Sequence, residues 1–398
     1  MVENNTHKHW QIMRLGEVCN VLDNLRKPIN SSERQKRIAG KSEKELIPYY
    51  GATGQVGWID SFITDSEYIL VGEDGAPFLD LFKDKAYKIK GKTWVNNHAH
   101  ILEGKKNLIL NDFVLHYLNS INYREFVNGT TRLKLTKSNL TDIPFVVPPL
   151  SEQHAIVSAI EELLSDLENG KQQLQLAQKQ LKVYRQSLLK WAFESKELIP
   201  FEKFIDSSQN GLSKRTGTKG KEYKVLRLAD ITNNIIDNKS PRKIIMDENE
   251  VAKYQIKKDD LICVRVNGSK DLVGKLIHVS SKDEIENWAF CDHFIRFSMN
   301  HQKAYSRFFH FYFSTVKVRK YIHDNMVTSA GQNTVSQGTI KNVPVPNCPL
   351  QEQQIILEEL ECKFDVCDII EETISNSLQQ AETLRHSILK KAFEGRLV

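Results

Sequence analysis

Apolar residues recur every seven positions in two long stretches of this chain. In residues 151–196, Ile160, Leu167, Leu174, Leu181 and Leu188 form one row, and Ile156, Leu163, Ala177 and Tyr184 stand four positions ahead of it in a second. In residues 349–398, Leu360, Cys367, Ile374, Ala381 and Ile388 form the matching row. Ile356, Ile370 and Leu384 fall in the other, interrupted by Lys363 and Ser377. Heptads sustained this long predict coiled-coil helices. Each would hold about 43 residues and reach about 65 Å at 1.5 Å per residue. Gly170 costs the first helix roughly 1 kcal/mol relative to Ala. A helix of this length needs a partner to bury its stripe. The other copy in the same chain is the economical one, and a two-fold arrangement runs the pair antiparallel.

The helices are the best-kept part of an internal repeat. "PPLSEQ" (Pro148–Gln153) returns 200 residues later as "CPLQEQ" (Cys348–Gln353), and "RQSLLKWAFE" (Arg185–Glu194) returns as "RHSILKKAFE" (Arg385–Glu394). Upstream, at an offset of 195, Phe113, Tyr117, Arg124 and His98 meet Phe308, Tyr312, Arg319 and His293. At an offset of 193, "ILVGEDG" (Ile69–Gly75) meets "ICVRVNG" (Ile262–Gly268). The chain therefore reads as a tandem duplication, domain–helix–domain–helix. Proline ahead of each helix disfavours helix upstream. Ser151 is the predicted N-cap of the first helix, with Glu152 and Glu352 in the first turns. Gln351 is a poorer cap.

Both globular segments read as mixed α/β. "EYILVGEDG" and "DLICVRVNG" predict strands ending in Asp-Gly or Asn-Gly turns, and "WVNNHAHIL" and "WAFCDHFIRF" predict later strands. "GATGQVG" (Gly51–Gly57) reads as a turn between strands. Residues 111–127 and 303–322 predict amphipathic helices. Ahead of each long helix lies a polar loop, "NGTTRLKLTKSNL" (Asn128–Leu140) and "TSAGQNTVSQGTI" (Thr328–Ile340).

Charge separates the two kinds of segment. Residues 151–196 hold six acids and six bases, and residues 351–395 hold ten acids and four bases. With a net charge of +5 overall, +11 is left on the remainder. That is the footprint expected of nucleic-acid-reading domains on a neutral or acidic frame, although a solvated basic surface accounts for the same charge. Side chains that read base edges and grip phosphates are concentrated in the polar loops. The candidates are Thr130, Thr131, Arg132, Lys134 and Lys137 in the first, and Gln332 and Asn333 in the second. Asn97 and His98 occupy a strand position matched by His293. Arg265, Asn267 and Lys270 flank the second strand-end turn. Lys214, Arg215 and Lys219 belong to the basic cluster "LSKRTGTKGKEYK" (Leu212–Lys224). Each also reads as an ordinary exposed or structural residue.

Catalytic motifs are missing. The sequence has no phosphate-binding G-x-x-x-x-G-K-[ST], no [ND]-P-P-[YF] of amino-methyltransferases, and no H-E-x-x-H, G-x-S-x-G or C-x-x-C. Glu222-Tyr223-Lys224 matches the short E-x-K of some nucleases, and "HAH" (His98–His100) lacks a third metal ligand. The six cysteines read as reduced. The N-terminal residues lack an apolar signal core, and no run is long enough to span a membrane, so a cytoplasmic location is expected.

The doubled "P-L-x-E-Q", the doubled "LLKWAFE" and "LKKAFEG", "IPYYGATG" (Ile47–Gly54) and "WVNNHAHIL" resemble the specificity subunits of type I restriction-modification systems, over essentially the whole chain. The resemblance implies two similar α/β target-recognition domains joined by two long antiparallel coiled-coil helices, related by an internal pseudo-two-fold repeat. On that plan residues 1–150 and 197–348 are the recognition domains, and 151–196 and 349–398 are the spacer helices. It also implies a non-catalytic, double-stranded DNA-binding subunit in which each domain reads half of a bipartite, asymmetric site. The helices would set the gap and dock two modification (methyltransferase) subunits, with restriction (translocase/nuclease) subunits in the full complex. No cofactor or metal is expected on this chain. S-adenosylmethionine, ATP and Mg²⁺ would belong to the partner subunits. Cys348 departs from the family's usual proline, which predicts a local change at that helix start. A non-catalytic coiled-coil adaptor that binds protein alone is the competing reading. A weaker one is an enzyme with an unrecognised nuclease site.

Overall fold

A computed structural model describes residues 10–194, 196–232, 235–236, 240–280 and 286–398. The first nine residues of the N-terminal stretch read for a signal core lie outside them. The chain divides into two compact units, residues 1–176 with 374–398, and residues 177–373. Each unit holds one globular domain and a part of each long helix.

In the first unit the two ends of the domain meet, Gln11–Arg14 pairing antiparallel with Pro144–Val147. One sheet runs in the order Cys19–Val21, Ala99–Gly104, Tyr68–Gly72, Ala86–Ile89. A second runs Gly54–Ile59, Ile47–Gly51, Lys92–Val95, Thr64–Asp65, and its two middle strands are parallel. The second unit repeats this plan. Leu198–Pro200 pairs with Pro344–Pro346. One sheet runs Ile205–Asn210, Phe294–Met299, Leu261–Val264, Leu276–His278. The other runs Arg242–Met246, Lys221–Leu226, Trp288–Phe290, the last two parallel. The mixed α/β domains and their duplication are thus as the sequence implies. The tyrosines matched in the repeat do the same work: Tyr117 Oη donates to Pro144 O at 2.6 Å and Tyr312 Oη to Pro344 O at 2.8 Å.

Several boundaries differ from the sequence reading. "GATGQVG" is a hairpin turn, as expected. "WVNNHAHIL" and "WAFCDHFIRF" are each two strands in different sheets, so the chain must bend between them. Asn97, His98, Asp292 and His293 consequently sit in turns, not in strands. Asn96 Oδ1 accepts His98 N at 2.8 Å and holds the first bend. The first domain helix stops at Ser120. The second is broken into Ser306–Phe313 and Val316–Asn325. Thr315 makes the break, its hydroxyl donating to Tyr312 O and capping Val318 N.

The long helices are Leu150–Ala192 and Leu350–Phe393. Within the first unit Lys171 Nζ meets Glu382 at 2.7 Å. Within the second, Arg185 pairs with Glu371 at 3.1 Å, and Lys363 Nζ lies 4.5 Å from the Trp191 ring. Rising numbers on one helix meet falling numbers on the other, so the pair is antiparallel. The first predicted row of each helix is in the seam: Leu360, Cys367, Ile374, Ala381 and Ile388 are all buried. The second row is buried at Ile156 and half-buried at Ala177 and Ile356, but its other members face solvent. Leu163 and Tyr184 are exposed, as are Ile370 and Leu384. The seam runs instead through Val157, Leu164, Lys171, Gln178, Arg185 and Ala192, and through Leu357, Phe364, Glu371, Leu378, Arg385 and Ala392. Polar residues at Lys171, Arg185, Glu371 and Arg385 hide this row from apolar spacing.

The repeated helix start has a different purpose from capping. Each helix begins at Leu150 or Leu350, so Ser151 lies inside the helix and is not the N-cap. Pro149 O receives Gln153 N, and Pro349 O receives Gln353 N, both at 3.0 Å. Gln153 is fully buried: its Oε1 accepts Leu110 N, and its Nε2 donates to Leu108 O and Pro148 O. Gln353 is equally buried, accepting Tyr305 N and donating to Lys303 O and Cys348 O. Cys348 thus supplies the same carbonyl as Pro148, and the local change predicted there is not seen in this bonding. Because a carbonyl is what the glutamine needs, a proline is dispensable at that position.

Candidate nucleic-acid interface

In the first domain the strand Tyr68–Gly72 ends in the turn Glu73-Asp74-Gly75, with Gly75 at φ +72°. The polar loop folds back as a small hairpin, Asn128 and Lys134 exchanging backbone bonds of 2.9 and 2.8 Å. Leu135 N donates to Glu73 O at 2.7 Å, and a bridge joins Asp74 to Lys134. The hairpin tip is exposed and carries Thr130, Thr131 and Arg132. A shared pair of carboxylates collects the candidates. Asp74 accepts Arg132 Nη2 at 2.9 Å and lies 2.7 Å from His98 Nδ1. Glu73 lies 3.0 Å from Lys134 Nζ and 2.5 Å from Arg26. Burial acts to raise the Glu73 carboxyl, but hydrogen bonds from Arg26 and Lys134 and the nearby charges of His100 and Arg26 outweigh it and hold the group below the ordinary carboxylate range. Exposed Asn97 adjoins the cluster, its carbonyl accepting Arg26 Nη1 at 3.4 Å. Lys137 does not join it, since it begins the short helix Lys137–Thr141 beyond the hairpin.

His98 and His100 do not form a chelating pair. His100 is buried, with Nδ1 2.8 Å from Asp23 and Nε2 2.9 Å from Leu135 O, which makes it a structural histidine.

The second domain builds the same feature from amides. Val266–Asn267, Gln332–Thr334 and Val327–Ser329 form a three-stranded sheet in the order first, second, third. Gln332 is exposed at its edge of the turn. Asn333 is only 3% exposed and its amide is fully engaged: Nδ2 donates to Asn267 O and Gly268 O, and Oδ1 accepts Thr328 Oγ1. Asn333 is therefore a fastener of the hairpin and, contrary to expectation, does not present its amide at the surface. Asn267 Oδ1 accepts Ser269 N, shaping the turn that leaves Lys270 exposed. Lys214 is paired with Glu250. Lys219 is exposed and apart from the rest.

Arg215 and His293 meet in a cavity of about 330 Å³ that the sequence did not announce. It is lined by Leu212, Ser213, Arg215, Arg227, Arg242 and the turn Cys291–His293, among others. Arg265 adjoins it, its N–H donating to His293 O at 2.7 Å. Of the short E-x-K match, Glu222 pairs with Lys243 at 2.8 Å, and Lys224 Nζ lies 5.5 Å from the Trp288 ring. Among the described residues no helix is long and apolar enough to cross a membrane.

Two stretches of the chain, residues 7–177 and 201–380, match the type I restriction modification DNA specificity domain. The chain belongs to this family. Its two matched stretches are the two halves of the repeat. It is similar to the specificity subunit of the StySPI type I restriction enzyme of Salmonella potsdam, 35% identical over 308 residues, which are 72% of this chain and 65% of that one. It is 28% identical to the EcoKI specificity subunit of Escherichia coli K12 over 313 residues, 73% of this chain and 67% of that one. A putative Haemophilus influenzae specificity subunit is 37% identical over 186 residues, 44% of this chain and 45% of that protein. The alignments thus span 65% and 45% of the first and last of these relatives. The fold is that of a chain from a solved type I restriction-modification assembly, with TM-score 0.70, 14% identity, and 98% and 99% of the two chains covered. It is also that of the HsdS subunit of Thermoanaerobacter tengcongensis, with TM-score 0.56, 16% identity and 98% of each chain covered.

For a member of this specificity family, sequence reasoning missed the acids that organise the first cluster, Glu73 and Asp74, and the arginines Arg227 and Arg242 in the second. A signal for the acids was present, since Glu73-Asp74 fall in the strand-end turn already matched between the repeats. Arg242 carried no such signal, because it reaches the cavity only through sheet pairing between Lys221–Leu226 and Arg242–Met246.

Proposed function

We propose that this chain is the sequence-specific, double-stranded DNA-binding subunit of a type I restriction-modification complex and carries out no chemistry itself. The observation that carries this is a common frame bearing unlike tips. The matched turn and hairpin hold Glu73, Asp74, His98, Arg132 and Lys134 in one domain but Asn267, Gln332 and Thr328 in the other. Carboxylates accept from cytosine N4, Arg and Lys donate to guanine O6 and N7, and amides pair with adenine. Two unlike readers suit an asymmetric, bipartite site. Each well-read base pair contributes about 1–3 kcal/mol of discrimination. Linking the two halves raises the effective concentration of the second.

The long helices set the gap between half-sites and dock two modification subunits, which hold S-adenosylmethionine. Restriction subunits add ATP- and Mg²⁺-dependent translocation and cleavage. Exposed Val183, Trp191, Val366 and Ile369 on the helices supply apolar surface for such docking. Removing one heptad from each helix shortens the frame by about 10 Å, or roughly 3 base pairs. Methylome sequencing of a strain carrying that deletion should show a shortened gap, and an unchanged gap would rule out the ruler. Exchanging residues 1–148 for those of a relative should change one half of the methylated motif only. A binding assay with duplex DNA and the co-expressed modification subunit separates this reading from that of an adaptor that binds protein alone.

A further inference from the structure

We propose that the cavity lined by Arg215, Arg227, Arg242 and His293 is a clamp for one phosphodiester of the DNA backbone. This rests on the reading of the chain as a DNA-binding subunit and adds an anchoring site to it.

Three arginines from separate segments line one cavity of about 330 Å³. They are unequally engaged. Arg227 is held by Asp230 through two bonds, of 2.9 and 2.6 Å. Arg242 has no side-chain partner among the described residues, and its Nε is buried without a hydrogen bond. Arg215 is exposed and likewise without an acceptor among them. A buried N–H without an acceptor is costly, so the site favours an anionic ligand that supplies one. Asp292, 3.4 Å from His293, is the one acid in the lining among the described residues.

The walls are fixed by backbone bonds. Cys291 N donates to Leu226 O at 3.1 Å, Leu212 N to Phe290 O at 2.9 Å, and Asp292 N to Leu212 O at 3.1 Å. A Cβ on Gly211 would lie 1.9 Å from Cys291 O, so only glycine allows the basic segment to pass this close to the turn. The cavity opens where the parallel strands Lys221–Leu226 and Trp288–Phe290 end, and α/β sheets seat ligands at the carboxyl ends of such strands.

Cys291, Asp292 and His293 bring possible metal ligands within 4.8 Å of one another. Burial, however, pushes the Cys291 thiol up, away from the thiolate a metal requires. The surrounding guanidinium groups oppose a cation as well.

Continuity with the hairpin points to DNA rather than a free anion. Arg265 N donates to His293 O, and Val335 N to Arg265 O at 3.0 Å, so the cavity's turn is tied to the strand that presents Gln332. In the first domain Arg26, beside the matching turn at Asn97–His98, is occupied by Asp23 and Glu73.

The test uses the chain co-purified with its modification subunit and labelled duplexes with and without the methylated motif, over 50–200 mM salt. Arg242→Ala and Arg215→Ala should each weaken binding roughly 3- to 10-fold on both duplexes and lower the slope of log K against log salt by about 0.9, the value for one phosphate. Arg215 is exposed and has no acceptor among the described residues, so its variant reports even if Arg242→Ala folds poorly. Lys320→Ala, on a surface helix, is the control. Relaxed selectivity at a single base pair with an unchanged slope would mean base reading and overturn the clamp. Unchanged affinity and slope in both variants would overturn it too, while leaving DNA binding by the parent intact. A parent complex that bound no duplex would overturn the functional reading, and the clamp with it.

Discussion

Gln153 and Gln353, 200 positions apart and both buried, make the same three hydrogen bonds, each to two carbonyls and one amide. Each ties the first turn of a long helix to a loop of its own domain, Leu108–Leu110 or Lys303–Tyr305. This explains why a short phrase recurs where the rest of the domains diverged. Gln153→Ala leaves Leu108 O, Pro148 O and Leu110 N without the partner they had, at about 1–3 kcal/mol for each group that stays unsatisfied. Differential scanning calorimetry should show a lowered transition for the variant. Gln153→Glu should lower it further, because a carboxylate cannot donate to the two carbonyls.

Asp74 restrains the positive side chains of the first reading surface. The pair Arg132–Asp74 is exposed on the arginine side, and such pairs contribute about 0–1 kcal/mol. Asp74→Asn should therefore leave folding nearly unchanged while freeing Arg132 and His98. The expected result is tighter binding to duplexes lacking the site and a lower ratio of specific to non-specific affinity, read by fluorescence anisotropy at fixed salt. Weaker binding to both kinds of duplex would contradict this assignment.

Gly129 turns the first hairpin at φ +103°, and a Cβ there would stand 2.5 Å from Arg132 O. The conformation and the close approach both exclude other residues. Gly129→Ala should displace Arg132 and Lys134 while sparing the buried core around Leu135 and Leu140. Methylome sequencing should show a changed or lost first half-site with the second half-site retained, and the thermal transition should move by little.

The duplicated frame was legible because it is written in apolar spacing and in short repeated phrases, such as the row Leu360 to Ile388. What the sequence hid was decided by contacts between distant segments. Arg185 and Glu371 look like solvent-facing residues until the antiparallel partner places them in the seam. Asn333 has the composition of a base reader, but hairpin closure turns its amide inward. The bend at Asn96–His98 was hidden by β-favouring residues on both sides. Arg242 shares no motif with Arg215, and only sheet pairing brings both to one cavity.

Acid should weaken both domains through half-buried histidines. Burial is the main cause that pushes His116 and His310 down from 6.5 to about 4, and the hydrogen bond between His310 Nδ1 and Leu276 O at 2.8 Å works against it only partly. Both groups are depressed in the folded state, so the unfolded chain takes up protons first. Their contribution is complete above about pH 6.5, is lost as pH falls toward 4, and is level below that. The loss is on the order of 1–3 kcal/mol for each histidine. Thermal midpoints measured from pH 7.5 to 4 should fall across this window. His310→Asn keeps a donor near the Nδ1 position but cannot take a proton. It should flatten the fall for the second domain, and a slope identical to that of the parent would show that His310 is not the group responsible.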